Sequence, residues 1–205
     1  MNLSHPYKSV SPALDGEVLN VLTYTDLPLT GRDIARLAGR KSHSGVQSVL
    51  RRLVHEGIVH RQEAGSSLLF RLNREHVAAP AIESLAGIRG ELISRITMLV
   101  ETWSPSPVHV SLFGSFARGD GTSESDIDVF VVRPEGVNDD EPNWVEQVDH
   151  LRTAIQRWTG NVVDISEVSA ADLSRLAHDR PPIVANLLDD SVTVAGVGVS
   201  ELLGG

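Results

Sequence analysis

Gly114-Ser115 is followed, after ten residues, by Asp126-Ile127-Asp128 at the head of the apolar run Val129-Phe130-Val131-Val132. Successive side chains of a strand point to opposite faces, so Asp126 and Asp128 share a face, about 7 Å apart along the backbone. Two such carboxylates repel unless a cation lies between them. Magnesium takes one or two carboxylates plus phosphate oxygens. Two such ions, ~3.5–4 Å apart, clamp the attacking and leaving oxygens of an in-line displacement. Gly114 closes another apolar run (Val108, Val110, Leu112, Phe113). A glycine there lets backbone come close to a ligand, and N–H groups opening a helix attract phosphate. Ser115 adds a hydroxyl, and Arg118 is a candidate to neutralise triphosphate charge.

The string GSFARGD…SDIDV closely resembles the signature of the polymerase-beta-like nucleotidyltransferases, and most of all their small prokaryotic members, the minimal nucleotidyltransferases. The resemblance spans roughly residues 81–195. It implies a third carboxylate on a later strand, matched by Asp164 in Asn161-Val-Val-Asp-Ile-Ser. It also implies catalysis and metal binding by Asp126, Asp128 and Asp164, with nucleotide binding by Gly114, Ser115 and Arg118. The implied cofactors are two Mg2+ ions, with a nucleoside triphosphate, ATP by expectation, as substrate.

Composition sets the outer limits. The chain of 205 residues has room for one large domain or two small ones, and it has no cysteine. Disulfides, thiolate catalysis and thiolate zinc sites are therefore excluded. No window approaches the ~18 uninterrupted apolar residues of a membrane span, and MNLSHPYKSV lacks the basic and apolar regions of a signal peptide. A cytoplasmic location without membrane contact is expected. Charge is uneven: residues 1–80 hold ten Lys+Arg against seven Asp+Glu, whereas residues 81–205 hold eight against twenty. The modest basic excess sits where a nucleic-acid partner would look for it.

The elements that must carry these residues follow from periodicity. After a loose lead-in over residues 1–12, Leu14, Val18, Leu19 and Leu22 make a first helix. Thr30 caps a second, with Asp33 three residues on. Val46, Val49, Leu50, Leu53 and Val54 give a third its buried stripe. Residues 58–72 read as a hairpin turning at Ala64-Gly65-Ser66-Ser67. Three helices and a hairpin resemble a winged helix-turn-helix, whose third helix enters the DNA major groove. Ser44, Gln47, Ser48 and Arg51 would then face DNA, with Arg52 and His43 nearby and Arg61 and Arg71 flanking the wing. A bare interaction module is the alternative.

From Glu75 to Trp103 a single long helix is expected, covering the sheet or forming the seam of a homodimer. The remainder alternates: a strand from Val108 and the Asp-bearing strand, then a helix from Val145 to Trp158 stopped by Gly160. Further on come a strand over 162–165, helices over 170–177 and 183–188, a strand over 192–195 and a frayed end. The expected architecture is two domains. Residues 1–78 form the winged helix-turn-helix, mostly α with a β-hairpin wing. Residues 79–205 form an α/β (α+β) nucleotidyltransferase fold with a mixed sheet.

His109 beside the motif reads as a structural histidine. The adhesion tripeptide spelled by Arg118-Gly119-Asp120 is a coincidence, the spacing of His55 and His60 makes no metal site, and Gly196-Val197-Gly198 lacks the strand-to-helix context of a dinucleotide site. The expected reaction moves AMP from a nucleoside triphosphate to a hydroxyl. Some forty residues follow Asp164, too few for the extra substrate domain of antibiotic-modifying and RNA-tailing relatives, which favours a protein acceptor. In the family this often means a partner toxin, and a DNA-binding half would suit an autoregulating antitoxin. The alternatives are a nucleotide-sensing transcriptional regulator without turnover and an antibiotic nucleotidyltransferase.

Overall fold

The computed structural model describes residues 1–10, 13–39 and 43–204, the side chain of Ser174 excepted. They fall into two units, Ser4–Ile88 and the chain from Arg89 onward.

In the first unit α1 (Pro6–Val10) and α2 (Leu14–Thr23) precede a short β1 (Leu29–Thr30), then α3 (Gly31–Leu37) and α4 (His43–His55). A hairpin of β2 (Val59–Ala64) and β3 (Ser67–Leu72) follows, and α5 (Ala79–Ala86) closes the unit. Thr30 caps α3 as its position requires. Its Oγ1 accepts the Asp33 N–H at 3.2 Å and donates to Asp33 Oδ2 at 2.7 Å. The apolar positions that recur at helical spacing meet in one core, where Val18, Leu22, Ile34, Val46, Leu50 and Leu53 pack with Phe70 and Leu72 of the hairpin. The hairpin turns where expected, at Gly65-Ser66, with Gly65 at φ +59°. β1 adds a third antiparallel strand beside β3, pairing Leu29 with Phe70.

Two expectations need correction here. The lead-in is not all loose: residues 6–10 are helical, with Tyr7 buried and its hydroxyl donating to the Ile82 carbonyl at 2.6 Å. The long helix over 75–103 is two helices, α5 and then α6 (Ile88–Val100). Gly87 is the break, and its N–H caps α5 through the Glu83 carbonyl at 2.9 Å. Because Ile82 packs on the first core, α5 belongs to the first unit. The division thus falls ten residues beyond the boundary expected at 78/79.

The second unit is built on a mixed four-stranded sheet. Its strands are β4 (His109–Phe113), β5 (Ile127–Arg133), β6 (Val163–Ser169) and β7 (Val192–Gly196), in spatial order β6-β5-β4-β7. β4 runs antiparallel to both β5 and β7, while β5 and β6 are parallel. The crossover between the parallel pair is α8 (Pro142–Thr159), which ends at Gly160 with φ +75°. The short α7 (Gly114–Arg118) joins β4 toward β5. After β6 come α9 (Leu173–Asp179), α10 (Pro182–Asp190) and, beyond β7, α11 (Val199–Leu203). The end expected to fray is therefore helical, because Val199 and Leu203 have a core to enter.

Alternation along β5 decides what each face meets. Phe130 and Val132 share the face of Asp128 and join Phe113 of β4 under Leu173, Val184, Leu187, Val199 and Leu203 from α9, α10 and α11. Burying each such side chain contributes roughly 1.5–3 kcal/mol. Ile127, Val129 and Val131 point the other way and are fully buried too. A strand apolar on both faces is thereby held rigidly, with only Asp128 near its start and Arg133 at its end half-buried. Among the described residues no helix is long and apolar enough to cross a membrane.

Candidate active site

Register places the carboxylates. Asp128 is the second residue of β5, and its partner in the parallel ladder is Asp164, the second residue of β6. Ladder partners on neighbouring strands project to the same face about 4.8 Å apart. On its other side Asp128 is paired with Phe113, the last residue of β4. Asp126 lies just before β5 and is exposed, as is Asp164, while Asp128 is half-buried. The three acidic residues thus open two adjacent strands at one edge of the sheet.

The turn after β4 is shaped around Asp128. Gly114 has φ +68°, a left-handed conformation that side-chain-bearing residues avoid. A Cβ built there would stand 2.3 Å from Asp128 Oδ2. Glycine is required twice over, by the backbone and by the carboxylate pressed against it. Ser115 follows, half-buried in the first turn of α7, and no side chain caps that turn. The Ser115 carbonyl accepts the N–H groups of Gly119, Asp120 and Gly121 at 3.1–3.2 Å, which winds the next loop back over the turn.

Electrostatics mark this corner as short of positive charge. The Asp128 carboxyl is held above its ordinary value, first by desolvation and then by the Asp164 and Asp126 charges, with Arg118 pulling weakly the other way. Arg118 is not free to neutralise the group. Its guanidinium is bonded to Asp190 at 3.0 Å and to Asp120 at 3.3 Å. Among the described residues no three acidic or histidine side chains are drawn together tightly enough to enclose a metal ion. Such a cage is not what magnesium asks for, since it prefers one or two carboxylates and completes its shell with phosphate oxygens and water. A half-buried Asp128 carboxyl, its proton affinity raised by desolvation and by the neighbouring Asp164 and Asp126 charges, beside a turn with an uncapped helix start, fits a divalent cation.

Three supporting residues were not legible as functional. Asn161 is buried, and its amide donates to the Ser125 carbonyl at 2.9 Å and to that of Ser123 at 3.4 Å, anchoring the loop that delivers Asp126. Arg89 of α6 donates to the Ala117 carbonyl at 2.8 Å and lies over the Phe116 ring, 5.1 Å from its centre, bracing α7. Asp190 holds Arg118. An asparagine after a helix-stop glycine reads as a turn residue, and an arginine on a helix reads as solvated. Only the contacts distinguish them. His109 is fully buried with its Nδ1 2.6 Å from the Val197 carbonyl, in a structural setting.

Residues 96–179 match the family model of a nucleotidyltransferase domain. That span takes in the turn at Gly114-Ser115 and all three aspartates of the corner. No curated protein matches the chain. Among solved structures, a minimal nucleotidyltransferase is 26% identical over 54% of this chain and 92% of its own, with a TM-score of 0.33. A toxin–antitoxin structure with AMP-PNP is 17% identical over 54% of this chain and 79% of that one, with a TM-score of 0.36.

The residues singled out for DNA lie in the first unit. Ser44, Ser48, Arg51 and Arg52 are exposed on α4, and Arg61 is exposed on β2. Gln47 is turned inward by comparison: its amide is 3.1 Å from His43 Nε2 and abuts Gly31 of α3. Arg52 is paired with Asp15, and Arg61 with Glu63 at 3.4 Å. Arg51 and Ser48 are therefore better placed to meet a phosphate backbone than Arg52 or Arg61.

Proposed function

We propose that the protein transfers a nucleoside monophosphate, AMP by preference, from a nucleoside triphosphate to a hydroxyl of a protein acceptor, and that its first unit is a winged helix-turn-helix that binds DNA. The observation that carries the reaction is the packing of Gly114 against Asp128 with Asp164 in register beside it. It joins a phosphate-accepting turn to a pair of uncompensated carboxylates. The family match over residues 96–179 supports the same chemistry.

In this reading Asp126, Asp128 and Asp164 would hold the divalent ions, Asp164 toward the acceptor. Bound magnesium would neutralise charge developing on the α-phosphate and the departing pyrophosphate. Gly114 and Ser115 receive the β- and γ-phosphates through the open first turn of α7 and the serine hydroxyl. Asp164, exposed and in register with Asp128, would help take the proton of the acceptor hydroxyl. The attacking oxygen forms a bond to the α-phosphorus as the bond to pyrophosphate breaks, so catalysis rests on positioning and charge neutralisation. The protein acceptor follows from the resemblance to minimal nucleotidyltransferases, which also makes a toxin-like partner and an autoregulating, antitoxin-like role the first to examine.

For the first unit, a helix presenting Ser44, Ser48 and Arg51 above a two-stranded hairpin supports DNA reading. Binding to duplex DNA should weaken steeply with salt as phosphate contacts release counterions. R51A should weaken binding and flatten that salt slope. An unchanged slope would argue for an interaction module.

The test of the reaction is incubation of the pure protein with α-labelled nucleoside triphosphates, magnesium and a cell lysate. Label on a protein, with pyrophosphate released, supports the proposal. Tight nucleotide binding without release would make the unit a sensor.

A further inference from the structure

Asp190 ends α10 where electrostatics oppose it. A helix C-terminus carries partial negative charge and favours cations, yet the last turn of α10 holds Asp189 and Asp190 and no basic residue. Asp190 is also mostly buried, with 23% of its side chain exposed. Its compensation is the 3.0 Å bond from Arg118. The second contact of Arg118, with Asp120, is longer and comes from two residues away on the same loop. Asp190 belongs to a different element, packed against α7, so it fixes the guanidinium relative to the body of the domain.

Arg118 also acts electrostatically on Asp128. Arg118 ends α7, which packs on β5 and whose first residue, Gly114, abuts Asp128, so a released guanidinium would have that carboxylate as a competing partner, and paired N–H bonds to carboxylate are among the strongest polar contacts available. Lodged there it would fill the space a divalent ion needs. We infer that Asp190 is a positioning residue that keeps Arg118 off Asp128, so that the corner stays open to cations. The inference rests on the metal-dependent reading above. The clamp leaves the cation at the rim of the phosphate turn, 42% exposed, from where it can exchange a carboxylate for an incoming triphosphate.

The experiment is Mn2+ binding to the full chain without nucleotide, followed by electron paramagnetic resonance, for wild type, D190N, R118Q and the double variant. D190N is expected to bind Mn2+ about tenfold more weakly, and R118Q no more weakly than wild type. The double variant should return to the R118Q value, because without Arg118 there is nothing for Asp190 to restrain. A D190N affinity equal to wild type overturns the inference. So does a loss in D190N that persists in the double variant, which would make Asp190 merely structural. R118Q changes only an exposed side chain and keeps the test alive if D190N fails to fold: weaker binding by R118Q alone also contradicts the clamp. Wild-type protein that binds no Mn2+ would instead overturn the metal reading itself.

Discussion

The two ends of the β5–β6 pair treat acidic residues in opposite ways. At the far end, Glu167 is neutralised by Arg133, the last residue of β5, and accepts the Trp144 indole N–H at 2.9 Å. Asp172 nearby accepts from Ser169 at 2.7 Å and from Arg175 at 2.8 Å, and its carboxyl is held below the usual range by these partners. The cavity of about 480 Å³ that opens there is lined by the paired Arg133, Glu167, Asp172 and Arg175, together with Asp139 and Asp179. At the near end, about five residues or some 16 Å along the strand, Asp126, Asp128 and Asp164 have no such partners among the described residues, and Arg118 is held by Asp190. Leaving a half-buried carboxylate raised by desolvation and by its neighbours is a cost to folding, which the proposed metal chemistry would account for.

The contrast breaks most sharply by substitution at the near end. D128A should lower nucleotidyl transfer by roughly a thousandfold or more, because a group that orients charge neutralisation is worth several kcal/mol in the transition state. Calorimetric melting should find the fold intact. G114A should follow closely. Its Cβ would collide with Asp128 Oδ2 in a left-handed backbone, so transfer should fall by about a hundredfold and stability by about 1–2 kcal/mol, read from denaturant unfolding.

The far end should answer in the opposite currency. R133A leaves Glu167 without its cation in a largely covered position, so stability should drop by roughly 1–3 kcal/mol while transfer by the folded fraction is unchanged. A large fall in turnover with no change in stability would erase the distinction between the two ends.

The smallest effects are in pH dependence. The Asp128 carboxyl is raised in the folded state, so its contribution to stability is fully present below the ordinary carboxylate value near 3.8 and is lost as pH rises through the folded value. Metal-free D128N should therefore melt higher than wild type at neutral pH, and Mn2+ should narrow the gap. His109 is shifted the other way by burial, so its contribution is present above about pH 6.5 and is lost as pH falls through the folded value. Unfolding followed between pH 7 and 5 should show that loss in wild type and not in an H109Q protein.

Those residues also show what a sequence can and cannot reveal. Asp126 and Asp128 could be read as a pair because strand alternation puts them on one face, whereas Asp164 was pointed to only by the family resemblance, and Gly114 before Ser115 takes a backbone that other residues avoid. Arg118 was readable as a charge near the turn, but its direction was not, since Asp190 lies 72 residues away. Likewise Gly87 could have been tolerated within one long helix. The decision to break there came from Ile82 finding the first core, a tertiary preference that periodicity does not contain. Residues 6–10 became helical for a similar reason, Tyr7 being buried and bonded to the Ile82 carbonyl.

The most direct measurement is a crystal grown with Mn2+ and a non-hydrolysable nucleoside triphosphate, with the ions located by their anomalous scattering. The account predicts two ions ~3.5–4 Å apart, held by Asp126, Asp128 and Asp164, with the β- and γ-phosphates on the Gly114-Ser115 turn. Ions settled instead among Asp139, Asp172 and Asp179 at the far end, or triphosphate bound away from that turn, would contradict it.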